Sequence, residues 1–454
     1  MSRNPARRAL AGYKRFQISS SPQMNLVWGF FLYTIIGWAL LCLPFLHTTS
    51  VPVLDNLFIS ASAISTTGLV TVSVADSYNL GGQVVVALLF QIGGIGYMTL
   101  TTYYLLFTTK TITRWHNKII GAAFTMPETI KVGDFIKSAI LFTLLMEVLG
   151  SICFFIAFTG SGMGAGQAVW YSIFHSISAF CTAGFGLFND SFEGYADNTF
   201  INVIISVLAI AGSLGFIVIT DLWYRLSGKT KSVSFTTKII FYGFLILLSL
   251  GTLLFYATEP IVHESGNGAL MKSFFAAMTA MTTVGFNTVA TGNLREPLLL
   301  VTIFLMYIGA SPSGTAGGMK ITTLTAMLAV LKSRVFGEKT VTFFNRRIPF
   351  ERLYVATSTF MLYTSLVFLF SLLLSYSETG VAYDRILFET ASALGTVGLS
   401  TGITGDLTSA GKCLIIVLMF IGRVGVLTFG FALLERRRAA GIPEDEHVVD
   451  DLAV

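Results

Sequence analysis

One twelve-residue pattern occurs four times in this 454-residue chain, and no other feature constrains its fold as tightly. The pattern is Phe, three residues, Ser or Thr, Ala, two residues, Thr, any residue, Gly, then Leu or Phe. Its copies are Phe58–Leu69, Phe174–Phe185, Phe275–Phe286 and Phe388–Leu399. The glycines Gly68, Gly184, Gly285 and Gly398 stand 116, 101 and 113 residues apart. Such a period predicts four apolar helices, each ending in Thr-x-Gly, that converge on one axis. Four Thr-x-Gly backbones around an axis make a ring of carbonyl oxygens, the arrangement that replaces a cation's hydration shell. The predicted ring comprises Thr66, Thr67, Gly68 and Leu69; Thr182, Ala183, Gly184 and Phe185; Thr283, Val284, Gly285 and Phe286; and Thr396, Val397, Gly398 and Leu399. Glycine permits backbone angles that other residues resist and leaves room beside a narrow path. A single Thr-x-Gly reads as a turn, but four at matched offsets do not.

Only 12% of the residues are charged and 54% are hydrophobic, with a mean hydropathy of +0.73. Soluble domains carry about 25% charge, so the chain reads as a polytopic membrane protein. Cys42, Cys153, Cys181 and Cys413 lie singly, with no Cys-x-x-Cys or His/Cys cluster, which argues against a metal site or a disulfide framework. Net charge is +5, and its placement is informative. Basic groups gather at Arg3, Arg7, Arg8, Lys14 and Arg15, at Lys110, Arg114 and Lys118, and at Arg225, Lys229 and Lys231. They recur at Lys332, Arg334, Lys339, Arg346 and Arg347, and at Arg436–Arg438. The alternate loops carry Asp55, Asp76, Asp190, Glu193, Asp197, Glu259, Glu264 and Glu378. The positive-inside rule therefore expects the basic set, with both termini, in the cytoplasm. The stretch before Leu26 lacks a cleavage site after a short apolar core and reads as a cytoplasmic tail.

Spanning segments need roughly 20 apolar residues, and they flank every copy of the pattern. First spans are expected over 25–46, 135–159, 237–258 and 351–374, and second spans over 82–106, 200–224, 297–333 and 412–434. The stretch between each pair is too short to span and reads as a re-entrant helix. Its Thr-x-Gly end cannot face lipid, because its amides would be unsatisfied. The expected organisation is a tail at 1–24, repeats at 25–118, 131–231, 235–347 and 348–438, and a tail at 439–454. The fold class is all-α: four helix–pore-helix–filter–helix repeats around a pseudo-fourfold central pore.

The second span of the third repeat is interrupted by Gly309, Ala310, Ser311, Pro312, Ser313, Gly314, Thr315, Ala316, Gly317, Gly318, Met319 and Lys320. Nine of these twelve are Gly, Ala, Ser or Thr, and Pro312 removes a helical donor. Such a stretch inside a membrane must line a cavity or serve as a small-residue packing site. Gly93–Gly96 and Gly212–Gly215 have no proline and read as close helix packing. Arg423 lies deep in the last span, where a charge is expensive and usually functional. Glu147 is expected to face a lipid-buried partner or a subunit contact, His175 to be hydrogen-bonded locally, and Asp221 to meet Arg225 a helical turn later. Cys181 reads as a small buried residue.

The four pattern copies, the interrupted third span and Arg423 resemble the Trk/Ktr/HKT superfamily of potassium transporters. The resemblance covers nearly all of 25–434, and the first repeat's start near Met24 is most like the Ktr membrane subunit. It implies a potassium filter at the four Thr-x-Gly segments, with K+ held by Thr66, Thr182, Thr283, Thr396 and the filter backbone. It implies that residues 309–318 with Lys320 form a gate below the filter, and that Arg423 faces the pore there as an electrostatic barrier. In the plant HKT branch a Ser at the first filter glycine accompanies sodium transport; Gly68 here favours potassium. The resemblance further implies a homodimer with one pore per chain, in the cytoplasmic membrane. It implies regulation by a cytoplasmic ring of RCK-type nucleotide-binding subunits, and it leaves sodium activation open.

Two further readings remain: a sodium-permeable relative of the same fold, and an ion-coupled secondary transporter with discontinuous helices. The latter class typically repeats in inverted halves. No Gly-x4-Gly-Lys-Ser/Thr, His-Glu-x-x-His, paired aspartate or Gly-x-Ser-x-Gly is present, so neither ATP coupling nor an enzyme is expected. No covalently bound cofactor and no nucleic-acid partner are expected; the bilayer is.

Overall fold

The computed structural model describes residues 22–96, 132–228, 230–263 and 268–431. The Arg3–Arg15 and Lys110–Lys118 clusters, Lys229, Glu264, the span from 97 to 106, Arg436–Arg438 and the tail 439–454 lie outside these residues.

The same sequence of elements occurs four times. The first unit has a long helix α1 (Pro22–Leu41), a pore helix α2 (Val53–Ile64) and a second helix α3 (Leu80–Ile95). The second unit has α4 (Val132–Gly160), α5 (Ala165–Phe180) and α6 (Thr199–Leu226). The third has α7 (Phe235–Thr258), α8 (Ala269–Thr282) and a second helix split into α9 (Glu296–Tyr307) and α10 (Ile321–Val335). The fourth has α11 (Phe350–Ser377), α12 (Tyr383–Gly395) and α13 (Ser409–Val424). The chain between α9 and α10 forms a two-residue parallel pairing of β1 (Ile308–Gly309) with β2 (Met319–Lys320). A short hairpin, β3 (Thr342–Phe343) and β4 (Arg346–Arg347), turns through Phe344 and Asn345, whose φ values of 46° and 57° suit a two-residue turn.

Each pore helix packs on the first helix of its own unit. Between units the packing is cyclic: α3 meets α5, α6 meets α8, α9 meets α12, and α13 returns to α2. That closure is the pseudo-fourfold arrangement around a central pore. The helix starts are capped as their sequences dictate. Asn79, Asn198 and Thr408 accept amides of α3, α6 and α13 through their side chains. In the third unit Glu259 takes this part by accepting the Arg295 amide at 3.2 Å.

Among the described residues, five helices are long and apolar enough to cross a membrane: the four first helices and α6. Their outward faces are apolar; Leu141, Val148 and Ile156 on α4 are all more than half exposed. Such a face suits lipid, since soluble monomers rarely expose large contiguous apolar patches. The second helices α3 and α13 are shorter than the expected spans, and α6 reaches its expected length with a kink. α3 stops at Gly96 (φ 83°), α6 kinks at Gly215 (φ 78°), and α13 stops at Gly425 (φ 93°) before helix resumes at Val426. The expected second span 200–224 is matched by α6, and that at 412–434 is corrected by the interruption at Gly425. Gly93 and Gly212 do serve close packing, against the Ile64 and Phe180 carbonyls, but the glycine three residues later breaks the helix.

Candidate functional site

The repeated pattern is explained residue by residue. Its Phe is fully buried in all four copies (Phe58, Phe174, Phe275 and Phe388) and anchors the pore helix in the core. Its Ala carbonyl accepts the amide of the pattern Thr: Ala63 from Thr66, Ala179 from Thr182 and Ala393 from Thr396. Its Ser or Thr accepts the next amide. Thr67 N donates to Ser62 O at 2.9 Å, Ala183 N to Ser178 O at 2.8 Å, Val284 N to Thr279 O at 3.2 Å and Val397 N to Ser392 O at 2.9 Å. In the first and fourth copies the hydroxyl takes the glycine amide as well, Gly68 N to Ser62 Oγ and Gly398 N to Ser392 Oγ, both at 3.1 Å. The amides are thus spent on the pore helix, and the carbonyls turn the other way.

All four threonines are left-handed, with φ of 52° at Thr66, 49° at Thr182, 56° at Thr283 and 48° at Thr396. A β-branched residue there is a genuine outlier, costing roughly 1–3 kcal/mol apiece, and such strain clusters at functional sites. The glycine two residues on is also left-handed in every copy. These glycines approach one another in a closed cycle. A Cβ on Gly68 would stand 2.5 Å from the Ala183 carbonyl, and one on Gly184 would stand 2.5 Å from the Val284 carbonyl. One on Gly285 would overlap the Val397 carbonyl, and one on Gly398 would overlap the Thr67 carbonyl. Sixteen sequence-predicted residues therefore meet around one axis. Leu69, Phe185, Phe286 and Leu399 bury their side chains in the core and offer only backbone.

A vestibule of about 750 Å³ opens on one side of the ring, lined by residues of all four units. Asp76, Asp190 and Glu193 line it, and among the described residues no Lys or Arg does. Asn189 joins the first two units by donating to Asp76 at 2.9 Å and accepting from Ser73 at 2.6 Å. Asn287 donates to Glu193 at 2.6 Å. Burial, helped by the Asp190 charge, holds Glu193 above the usual carboxylate range, and the Asn287 hydrogen bond works the other way.

The opposite side of the ring is occupied by the segment 309–320. Ala310, Ser311, Ser313, Thr315 and Ala316 are buried. Thr182 Oγ1 donates to Thr315 Oγ1 at 3.1 Å, and Gly317 N donates to Thr283 Oγ1 at 3.0 Å. Thr315 N donates to Gly212 O at 3.0 Å, and Ile217 N donates to Ser313 Oγ at 3.1 Å. A Cβ on Gly317 would overlap the Gly395 carbonyl and Thr396 Oγ1, so only glycine fits there. Lys320 Nζ donates to the Ala316 and Gly317 carbonyls at 2.5 and 3.0 Å. Arg423 forks between the segment and the first unit, donating through Nη1 to Thr315 O at 2.6 Å and through Nη2 to Gly93 O. Thr66 Oγ1 and Thr396 Oγ1 are buried without a hydrogen-bond partner among the described residues.

The remaining expectations resolve locally. His175 is hydrogen-bonded to the backbone at Tyr171 and Leu187, as expected. Glu147 accepts from Gln91 at 3.0 Å and Ser176 donates to its carbonyl, so its partners lie within the chain. Asp221 accepts the Ser234 amide at 2.6 Å. The ion pairs among the described residues are Lys272–Asp197, Lys332–Glu338 and Lys412–Asp55, so the expected Asp221–Arg225 pair is not formed. Among the described residues no His/Cys/Asp/Glu group could hold a metal ion. Sequence reasoning missed Glu389, a fully buried carboxyl on α12 that accepts from Ser400 and Thr404. Its one signal was its place, immediately after the pattern Phe.

A cyclic ring of carbonyls inside a polytopic helical bundle defines a membrane transport protein rather than an enzyme. Residues 34–436 match the family described as TrkH, cation transport protein, and the chain belongs to that family. It is 35% identical over 424 residues to the Ktr system potassium uptake protein B of Bacillus subtilis, covering 92% of this chain and 94% of that one. It is 34% identical over 439 residues to the potassium/sodium uptake protein NtpJ of Enterococcus hirae, covering 94% of this chain and 96% of that one. Its fold matches the potassium transporter TrkH of Vibrio parahaemolyticus with a TM-score of 0.74, over 91% of this chain and 85% of that one, at 21% identity.

Proposed function

We propose that the chain takes up potassium across the cytoplasmic membrane through a single-chain pore. The observation that carries this reading is the closed cycle of glycine-to-carbonyl approaches, Gly68 to Ala183, Gly184 to Val284, Gly285 to Val397 and Gly398 to Thr67. Carbonyls replace the hydration shell of the ion, and the four threonine hydroxyls complete its innermost site. The family and the printed names of the B. subtilis and E. hirae relatives support potassium as the ion. The acidic vestibule raises local cation concentration ahead of the ring. Potassium then moves down its electrochemical gradient, with about 2.3 kcal/mol per charge per 100 mV from the membrane potential.

Residues 309–318 with Lys320 act as the gate, and Arg423 is the barrier that also fastens it. The repeats 25–118, 131–231, 235–347 and 348–438 form the four quarters of the pore. Two chains assemble as a homodimer with both termini in the cytoplasm, and an RCK-type nucleotide-binding ring docks on the basic face to move the gate. A second reading, uptake of sodium as well as potassium, is favoured by the E. hirae relative, whose name carries both ions.

The test is the reversal potential of purified protein in liposomes under a potassium/sodium gradient, for wild type and Gly285→Ser. The proposal expects a wild-type potential near the potassium value, moved toward sodium by the substitution. A wild-type potential midway between the two would establish the second reading, and one at the sodium value would sink the first.

A further inference from the structure

The residue just after the pattern Phe differs in each unit: Ile59, His175, Ala276 and Glu389. Two are apolar and two polar, and the polar ones stand on opposite quarters of the ring. Both are fully buried on their pore helices. Each bonds to chain that has just left the Thr-x-Gly segment of its own unit. His175 Nε2 accepts the Leu187 amide at 3.1 Å, two residues past Phe185. Its Nδ1 faces the Tyr171 carbonyl at 2.7 Å, so these partners select the neutral tautomer with the proton on Nδ1. The ring is wedged by Phe188, stacked at 5.0 Å, and by Phe192, edge-on at 5.1 Å. Glu389 accepts the Ser400 hydroxyl at 2.9 Å, one residue past Leu399, and the Thr404 hydroxyl. Ser400 in turn accepts the Gly402 amide at 3.0 Å.

The other two exits lean on the loop that His175 holds. Ser73 of the first unit donates to Asn189, and Asn287 of the third takes Ser191 as acceptor for its amide and Glu193 for its side chain. His175 and Glu389 thus hold two walls of the outer mouth directly, and the other two, which Ser62 and Thr279 brace from their own pore helices, are tied to the wall that His175 holds. A carboxyl buried with only two hydroxyl donors is costly, and among the described residues no ion pair includes Glu389. Packing alone gives no reason to keep it there.

We infer that His175 and Glu389 are positioning residues that set the width of the outer ring, and through it the preference for one cation over another. Neither touches the ion. The inference rests on the transport reading above.

The experiment is the potassium/sodium permeability ratio in liposomes for wild type, Glu389→Ala, Glu389→Gln, His175→Phe and the double variant Ser400→Ala/Thr404→Val. Gln can still bridge both hydroxyls, because its amide accepts from one and donates to the other. Glu389→Ala and His175→Phe are expected to lower the ratio about tenfold, the equivalent of about 1.4 kcal/mol. Glu389→Gln is expected to stay within about twofold of wild type, since it keeps the bridge. Ser400→Ala/Thr404→Val empties the brace from the loop side and tests the same point if Glu389→Ala fails to fold. A wild-type ratio in both the double variant and a folded Glu389→Ala would overturn the inference alone. So would Gln as damaging as Ala, which would assign the effect to charge. A wild type without potassium preference would overturn the transport reading, and the inference with it.

Discussion

Three of the four second helices end or kink at a single left-handed glycine, and that of the third unit is interrupted by a whole segment; the contrast separates a local device from a part that the whole bundle holds. At Gly96, Gly215 and Gly425 the same device recurs. A packing glycine three residues earlier (Gly93, Gly212, Gly422) sits against the pore helix of its own unit, at the Ile64, Phe180 and Leu394 carbonyls. The break that follows keeps its amide inside the helix where it ends: Gly96 N donates to Ile92 O and Gly425 N to Ile421 O, both at 3.0 Å. The turns at Gly96 and Gly425 are closed within their own quarter, whereas the kink at Gly215 leans on the third unit, where Ser313 Oγ accepts the Ile217 amide at 3.1 Å. The segment 309–320 is the opposite case. Its polar groups are partnered by Gly212 and Thr182 of the second unit, Thr283 of the third and Arg423 of the fourth, and Arg423 is itself tied to Gly93 of the first. A part held by all four quarters responds to a movement in any of them.

The comparison breaks most severely at Gly317. Gly317→Val drives a side chain into the Gly395 carbonyl and Thr396 Oγ1. Overpacking of this kind costs roughly 1–3 kcal/mol, which lowers the closed population and raises potassium flux on the order of 10- to 100-fold. Flux assays on liposomes check it, and unchanged or lower flux would place the segment away from the path. Arg423→Gln removes a charge and the fork onto Thr315 and Gly93. Charge-assisted bonds contribute about 1.5–3 kcal/mol, so a flux increase of about tenfold is expected in the same assay.

The next pair sharpens the contrast between bends. Gly215 and Gly425 are both left-handed, so alanine costs about 1–2 kcal/mol of stability at either. Only Gly215 also presses on the segment, at Gly314 and Ser313, whereas the space around Gly425 holds nothing nearer than Thr428 Oγ1 at 3.7 Å. Thermal melts should therefore move together, while flux should change several-fold for Gly215→Ala only. Equal flux effects would mean that the bends are not independent of the gate. The smallest effect lies across the ring. Glu193 titrates above the ordinary carboxylate range, because burial and Asp190 disfavour its charge. Raising the pH of the vestibule side through that range adds one negative charge, so uptake should rise about twofold at low salt and less at high salt. Glu193→Gln should abolish the step.

Much of this was legible because the pattern is a fourfold constraint. Three of the four hydroxyls at its Ser/Thr place serve the backbone that follows: Ser62 and Ser392 accept the Gly68 and Gly398 amides, and Thr279 donates to the Phe286 carbonyl. The glycines recur since each faces a neighbouring carbonyl. The segment 309–320 declared itself through Pro312 and its small residues. The single-glycine bends did not, because one glycine in an apolar helix is tolerated as often as it breaks one, and the packing role of Gly93 and Gly212 masked the breaks at Gly96 and Gly215. Glu389 was invisible for the opposite reason: it occurs in one copy only, and its partners Ser400 and Thr404 become its partners only when the chain folds back past Leu399. Asp221 was misassigned to Arg225 because helical spacing favours that pair, yet the Ser234 amide reaches it instead.

The central claim is that cations occupy the axis between the four Thr-x-Gly backbones and are stopped on the far side by the segment 309–320. The most direct test is the anomalous difference density of crystals of the protein grown in a thallium or rubidium salt. The account predicts a peak on the axis among the carbonyls of Thr67, Ala183, Val284 and Val397, with none beyond Thr315. Density elsewhere in the bundle, with the ring empty, would contradict it.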